Sequence, residues 1–303
     1  MHTDTVVLDV EGLRMRYGNT DVLHDVTFAA RRGEVLCLLG PNGAGKTTTI
    51  EILEGFRLRS AGRVEVLGTD PARAGEDWRA RVGIVLQSWR DHGKWRVREL
   101  LAHVGRYYAG YATAAIERPW DVDQLVAAVG LAEQADRKVR MLSGGQRRRL
   151  DVAIGLVGRP ELVFLDEPTA GLDPIARRAF HELIEKLATE GDTTIVLTTH
   201  DLAEAEKLAD RILVLDAGRI IADGTAAELA AQIAGADEVR WTCAGQHFRQ
   251  TTAESTAFAF DLFQRYGAAI DNLEIRRASL EDTYLSLVHR AETAAALDAE
   301  EAA

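Results

Sequence analysis

Cysteine is scarce in this chain of 303 residues: there are two, Cys37 inside an apolar run and Cys243 far along the sequence. They read as small core residues of a reducing compartment rather than a disulfide framework, and no Cys or His spacing is that of a metal finger. Positive charge is also in deficit, with 36 Lys and Arg against 47 Asp and Glu and a net charge of −11. Neutralising a phosphate backbone takes a basic face, so a general nucleic-acid binder is excluded and no nucleic-acid partner is expected, local basic patches aside. No apolar stretch approaches the roughly 20 residues a membrane-spanning helix needs, and the opening Met1-His-Thr-Asp-Thr-Val lacks the basic flank and apolar core of a leader. A cytosolic or peripheral protein is expected. There is no internal repeat and no heptad pattern. The length leaves room for one large domain with a full core and a smaller appendage.

What the chain does have is Gly40-Pro41-Asn42-Gly43-Ala44-Gly45-Lys46-Thr47, directly after the apolar run Val35 to Leu39. Glycines at this spacing let successive backbone N–H groups turn inward onto phosphate oxygens, and a helix that follows adds its positive N-terminal end. Lys46 would reach the β- and γ-phosphates. Thr47 would give a hydroxyl to Mg²⁺, which takes few protein ligands because it keeps water and phosphate oxygens. A nucleoside triphosphate is the expected ligand.

Short apolar, β-branched runs recur at Val6 to Val10, Val35 to Leu39, Val82 to Leu86, Leu162 to Leu165, Thr194 to Thr198 and Ile212 to Leu215. Helical stretches separate them, which predicts an α/β chain with a mainly parallel sheet between helices. Residues 90–140 break the rhythm with two helical patterns, Val97 to Tyr108 and Val122 to Val129, and read as a helical insertion. Gly218 falls in a turn between strands, and Thr225-Ala-Ala-Glu228 has capping-box form for a helix reaching about Ala234, where the first domain is expected to end. Beyond it come a hairpin (Val239 to Thr242, His247 to Thr251), a helix from Thr256 to Tyr266 stopped by Gly267, and a strand from Leu273 to Arg276. Ser279-Leu-Glu-Asp282 again has capping-box form. Residues 235–290 thus predict a small α/β appendage, and residues 291–303 an Ala-rich acidic tail, frayed or disordered.

Two further stretches carry chemistry. The run Leu162 to Leu165 ends in Asp166-Glu167, and the C-terminal edge of a parallel strand is where α/β sheets bind ligands. Asp166 would hold Mg²⁺, and Glu167 would polarise the water attacking the γ-phosphate. Leu142-Ser143-Gly144-Gly145-Gln146 precedes a basic helical stretch, Arg147 to Leu150, and forms a second anion site at a helix N-terminus. Taken singly, an Asp-Glu strand end is a common sheet ending, a Ser-Gly-Gly turn is an ordinary capped loop, and three arginines are a solvated face.

Together these motifs resemble the nucleotide-binding subunit of an ATP-binding cassette (ABC) transporter over about residues 6–234. The likeness includes Ala170-Gly-Leu-Asp173-Pro174, Gln87 after one strand and Thr199-His200 at the end of another. The resemblance implies a P-loop NTPase cassette with a RecA-like core sheet, an N-terminal antiparallel β subdomain, a helical subdomain at about 90–157 and the C-terminal appendage. It also implies ATP and Mg²⁺ as cofactors, with a nucleotide set of Tyr17, Gly40, Pro41, Asn42, Gly43, Ala44, Gly45, Lys46, Thr47 and Thr48. Tyr17 would stack on adenine. Thr47, Gln87 and Asp166 would face Mg²⁺, while Glu167, His200 and Gln87 would be the catalytic residues. The signature Leu142, Ser143, Gly144, Gly145 and Gln146 would contact ATP held by the opposite subunit of a head-to-tail homodimer, with Asp173 as a dimer contact. Without this resemblance Tyr17 reads as a strand aromatic in the core, and His200 as an ordinary satisfied polar residue at a strand end.

The close Ala278-Ser-Leu-Glu-Asp-Thr-Tyr-Leu285 is similar to that of subunits in the drug, antibiotic and polysaccharide export branch. The expectation is therefore an ATP hydrolase coupled to export, held at the cytoplasmic face of the membrane by a permease. An import subunit is the alternative. A soluble ABC-type ATPase acting on DNA or ribosomes is opposed by the length, the single set of motifs and the lack of heptads. Residues 88–96, with Trp89, Trp95 and several bases, depart from the usual family run. They would line a groove for a permease helix, or else lie as surface residues over the core.

Overall fold

The computed structural model describes residues 5–85, 92–191, 193–234, 237–243, 245–252 and 254–276. Its contacts divide the chain into Met1–Ile220 and Ile221–Ala303, so the division falls ahead of the capped helix on which the sequence boundary was placed. Gln87 and Trp89, and the capping-box pattern at 279–282, lie outside the described residues.

The described residues up to Gly224 form two sheets. Strands β1 (Val6–Tyr17) and β2 (Thr20–Arg31) form an antiparallel hairpin with Val10 opposite Phe28 and Tyr17 opposite Thr20, and β4 (Ala61–Val66) pairs with the other edge of β1. Leu8, Val10, Leu13 and Met15 are buried while Glu11, Arg14 and Arg16 are exposed, the alternation expected of a sheet with one wet face.

The second sheet has the order β5-β6-β7-β3-β8-β9, with β5 (Val82–Val85), β6 (Leu162–Asp166), β7 (Thr194–Thr199), β3 (Val35–Leu39), β8 (Arg211–Asp216) and β9 (Arg219–Gly224). The pairs β5/β6, β6/β7, β7/β3 and β3/β8 are all parallel. Every residue of β3 and β7 is buried, which is why β3 reads as an unbroken apolar run and β7 as a β-branched run with only threonine among its polar residues. Each aliphatic side chain removed from water there contributes about 1.5–3 kcal/mol before chain entropy is counted. One core joins the two sheets, including Leu8, Leu13, Leu36, Leu38, Phe164 and Val196. Register fixes the site: Leu39 lies opposite Thr199, and Asp166 opposite Thr198, so the loops leaving β3, β6 and β7 start side by side.

Helix α1 (Lys46–Leu53) follows β3, and a short α2 (Glu76–Arg79) precedes β5. The insertion contains α3 (Val97–Tyr108), α4 (Val122–Ala128) and α5 (Gly144–Leu156), matching the helical patterns seen in the sequence. Helix α6 (Pro174–Gly191) leads into β7, and α7 (Leu202–Leu208) into β8. Cys37 is fully buried, and burial raises its thiol pKa well above the usual value.

In the second unit α8 (Ala226–Ala234) opens with the expected capping box. Thr225 N donates to Glu228 Oε2 at 2.8 Å, and Glu228 N to Thr225 Oγ1 at 3.1 Å. Strands β10 (Asp237–Cys243), β11 (Gln246–Thr252) and β12 (Ile270–Arg276) form an antiparallel sheet of order β11-β10-β12, with α9 (Ser255–Tyr266) between the last two in sequence. Trp241 stacks on Phe248 at 5.4 Å and meets Phe258 at 5.6 Å. Gly267, at φ 51°, ends α9.

Candidate functional site

The loop after β3 is shaped around glycine. A Cβ on Gly40 would stand 2.1 Å from the Leu215 carbonyl oxygen, so no other residue fits without moving β8. Gly45 has φ +105°, and a Cβ there would also meet Leu23 Cδ2 at 2.6 Å. Gly43 is likewise at positive φ, Ala44 is buried, Pro41 and Thr48 are half-buried, and Asn42 is exposed. The loop wraps its own lysine: Lys46 is 5% exposed, and its Nζ donates to Gly40 O at 2.8 Å and to Pro41 O at 3.1 Å.

Three neighbouring strand ends bring the expected partners to that ammonium. Lys46 Nζ lies 3.6 Å from Glu167 Oε1, and His200 Nδ1 lies 3.4 Å from the same oxygen. Thr47 Oγ1 donates to Asp166 Oδ2 at 3.3 Å. Thr198 Oγ1 donates to Asp166 Oδ1 at 2.5 Å and accepts from Glu167 N at 2.9 Å. That last bond holds Glu167 in the left-handed region, φ +41°, a conformation a non-glycine residue adopts only when its surroundings impose it. The turn thereby aims the Glu167 carboxylate back over the loop rather than along the strand.

The donor set suits a hard cation. Thr47 and Asp166 offer a hydroxyl and a carboxylate oxygen, the sparse protein share Mg²⁺ takes beside phosphate and water. Among the described residues no group of three or more His, Cys, Asp and Glu makes a metal cage.

The signature residues are engaged locally. Ser143 caps α5: its Oγ accepts from Gln146 N at 3.3 Å, and Gln146 Oε1 accepts from Ser143 N at 3.1 Å. Leu142 leads into the cap, Gly144 opens the helix, and a Cβ on Gly145 would come 2.7 Å from Ala176 Cβ, so α5 starts tight against α6. Asp173 Oδ1 accepts from Ile175 N at 3.0 Å and Ala176 N at 2.9 Å, capping α6 in turn. Tyr17 is 39% exposed rather than buried in the core, and the Arg57 guanidinium sits 5.0 Å from its ring centre while Glu51 holds that guanidinium at 2.6 Å.

Some contacts around this site join residues far apart in the chain and leave little trace in the sequence. Of the three arginines read as a solvated face, Arg148 is buried; Nε donates to Pro168 O at 2.6 Å and Nη2 to Asp166 O at 3.3 Å. Burial lowers its pKa, with Asp151, Asp166 and Glu204 opposing the effect. Its neighbour Asp151 is pushed up to about 6 by burial, against the pull of Arg147 3.3 Å away. Behind His200, Thr199 Oγ1 donates to Glu204 Oε2 at 2.6 Å, and His181 Nε2 lies 3.4 Å from Glu204 Oε1. Arg177, one helical turn before His181, reaches Asp201 at 2.8 Å. The only clue to Arg148 in the sequence is its spacing, one helical turn before Val152 and two before Gly155, on the buried face of α5.

A mainly parallel sheet whose central strand enters a helix through a lysine-wrapped glycine loop, with carboxylates at the next strand ends, defines a P-loop nucleotide-binding protein. Known proteins narrow the class. The family described as ABC transporter matches residues 23–170. A Nod factor export ATP-binding protein I of Ralstonia nicotianae is 44% identical over 236 residues, spanning 78% of this chain and 72% of that protein. A daunorubicin resistance ATP-binding protein, DrrA3 of Streptomyces coeruleorubidus, is 43% identical over 77% of this chain and 72% of its own length. A solved ATP-binding subunit of an ABC transporter superposes with a TM-score of 0.67 at 27% identity, covering 93% of this chain and 99% of that one. The ADP conformation of an ABC ATP-binding cassette gives 0.63 at 25% identity, over 74% and 92%. The chain belongs to the ATP-binding subunits of ABC transporters. No helix among the described residues is long and apolar enough to cross a membrane.

Proposed function

We propose that the chain hydrolyses ATP to drive an ABC exporter, as a head-to-tail homodimer on the cytoplasmic face of the membrane beneath a permease. The observation that carries hydrolysis is the meeting of Lys46, Thr47, Asp166, Glu167 and His200 on three adjoining strand ends. Lys46 and the loop N–H groups would hold the β- and γ-phosphates. Thr47 and Asp166, with Gln87, would hold Mg²⁺, which supplies charge neutralisation on the phosphates. Glu167 Oε1 stands between Lys46 and His200; a γ-phosphate that takes over both of those donors leaves the carboxylate free to accept a proton from water. Tyr17 would bear the adenine ring. The Ser143 turn of a second copy would complete the γ-phosphate's donors, so closure also excludes bulk water. Asp173 would meet that copy. The layout proposed is a cassette to about residue 234, with its helical subdomain at about 90–157, followed by the appendage and tail.

Export is supported by the relatives, named for Nod factor export and daunorubicin resistance at 44% and 43% identity. Glu167→Gln tests the catalytic assignment. The variant should keep ATP affinity, accumulate dimer in ATP and lose hydrolysis by about a hundredfold or more; undiminished turnover removes Glu167 from the role. Direction is decided in vesicles holding the chain with its permease, where net movement of substrate toward the ATPase side refutes export.

A further inference from the structure

The first unit has a cavity of about 850 Å³ that the nucleotide chemistry does not use. It lies at the wrong end of the sheet for that chemistry. Its walls include Arg32, which precedes β3, Pro160 and Glu161, which precede β6, and Thr193, which precedes β7. The proposed ATP loops leave the opposite ends of these strands, roughly 16 Å away at about 3.3 Å per residue along β6.

The remaining wall is a mixed surface. Trp120, Ile116, Leu156, Leu183 and Leu187 make it apolar, and the end of α5 and the second half of α6 supply the last three. Arg32 and Arg159 bring two guanidinium groups to the lining against one carboxylate, Glu161. That carboxylate is already neutralised. Arg81 meets it at 2.7 Å and Arg32 at 3.3 Å, and the Arg81 hydrogen bond lowers its pKa. The surplus is positive.

Arg159 is the best-placed of these cations. Its guanidinium lies over the Trp120 ring, 5.6 Å from the centre, so a flat charged plane and a flat aromatic plane sit together on the wall. Its backbone is at φ +47°, a strained conformation for arginine, and a second arginine holds it there. Arg118, with a side chain 2% exposed, gives its guanidinium to main-chain carbonyls: Gly158 at 2.8 Å, Tyr111 at 3.0 Å and Arg159 itself at 3.3 Å. A buried cation thus fixes the turn that presents Arg159 to the cavity.

We propose that this cavity binds an amphipathic organic anion, a flat or aliphatic apolar body carrying one acidic head group, at a site separate from ATP. The volume falls in the range of small-ligand sites, which combine an apolar lining with a few placed polar groups. The body packs on Trp120, Leu156 and Leu183; the head group meets Arg159 and Arg32.

The test titrates the full chain with 8-anilinonaphthalene-1-sulfonate, following its fluorescence and, by calorimetry, its stoichiometry. One saturable site per chain is expected, unmoved by saturating ATP with chelator. Arg159→Gln should weaken the probe by about tenfold, as loss of a charge-assisted contact does. Ala128→Trp, which fills the cavity, should abolish the site; both variants should bind ATP as the parent does. N-phenyl-1-naphthylamine, a neutral analogue, should bind about tenfold more weakly than the sulfonate. Displacement by ATP, equal affinity of the neutral analogue, insensitivity to Arg159→Gln or lack of saturable binding each overturns the proposal. Should Ala128→Trp not fold, the Arg159→Gln comparison alone decides.

Discussion

Arg148→Met tests whether helix α5 holds in place the strand end that carries Glu167. Arg148 is 7% exposed, and its guanidinium donates to Pro168 O at 2.6 Å and Asp166 O at 3.3 Å, on either side of Glu167. Methionine keeps the unbranched stem and so most of the packing, but it donates nothing. Each carbonyl that loses its partner without gaining water costs about 1–3 kcal/mol, which puts the pair near 3 kcal/mol. For a unit of this size that amounts to a fall in the thermal midpoint of about 6–12 °C. Activity should suffer more than stability. The two carbonyls flank Glu167 and, with the Thr198 bond to its N–H, anchor the turn that aims it; if Glu167 acts as proposed, a misplacement of about 1 Å costs on the order of a hundredfold in rate. Calorimetry on the full chain gives the midpoint of the first unit, and steady-state hydrolysis well below that temperature gives kcat and KM. The expected result is a large loss in kcat with KM for ATP nearly unchanged, since the phosphate loop itself is untouched. A midpoint within about 2 °C of the parent together with full turnover refutes the reasoning.

Other perturbations have outcomes as definite. Glu54, 7% exposed, has its carboxyl pushed from the usual 4.5 up to about 8, by burial first and then by Asp166 and Glu51. The folded state therefore holds the extra proton between those values, so stability falls as pH rises through that window, by an amount on the order of a few kcal/mol; in chelator, Glu54→Gln should gain on the parent in urea midpoint from pH 5 to 9, and parallel curves deny the burial. Gly45→Ala forces a Cβ onto Leu23 Cδ2 at 2.6 Å in a left-handed backbone, and should weaken equilibrium ATP binding by about tenfold or more. His181→Leu leaves Glu204 Oε1 without the imidazole 3.4 Å away while the Thr199 bond remains. It should lower kcat roughly fivefold at constant KM, and His181→Asn should recover most of it, whereas equal loss in both variants would assign His181 to packing alone.

How far the sequence discloses this arrangement depends on how far each contact is from its own neighbourhood in the chain. Strands buried on both faces read plainly, because Val35 to Leu39, Leu162 to Leu165 and Thr194 to Thr198 have no charged residue and no exposed face to interrupt them. The two capped helices read as plainly, since Ser143 with Gln146 and Thr225 with Glu228 are satisfied within four residues. Strand β2 escaped individual recognition because its buried residues alternate with exposed Thr20, Asp21, Asp25 and Thr27, and β1 is bulged where the two pair. Arg148 escaped because charge in a triple-arginine run signals solvent, and only the tertiary position of the Pro168 carbonyl makes one of the three a buried donor. The meeting of Arg57 with Tyr17 belongs to the same kind, joining two elements that nothing local relates.

Those long-range contacts share a pattern that bears on how a clamp could do work. Helix α5 is capped by Ser143 at its start, and within its second turn Arg148 grips the main chain on both sides of Glu167. Helix α6 is capped by Asp173 at its start, and Arg177 and His181, on successive turns, meet Asp201 and Glu204 around His200. In the head-to-tail dimer proposed above, Ser143 and Asp173 are the residues that meet the second copy. Each would then be one end of a short lever whose other grip lies beside a residue proposed as catalytic, Glu167 for α5 and His200 for α6. Helices transmit displacement along their axes with little loss over one or two turns, and packed polar contacts of this kind have discrete rather than graded arrangements. A second copy closing on Ser143 and Asp173 would then shift Glu167 and His200 together, and water alignment and dimer closure would become one event rather than two.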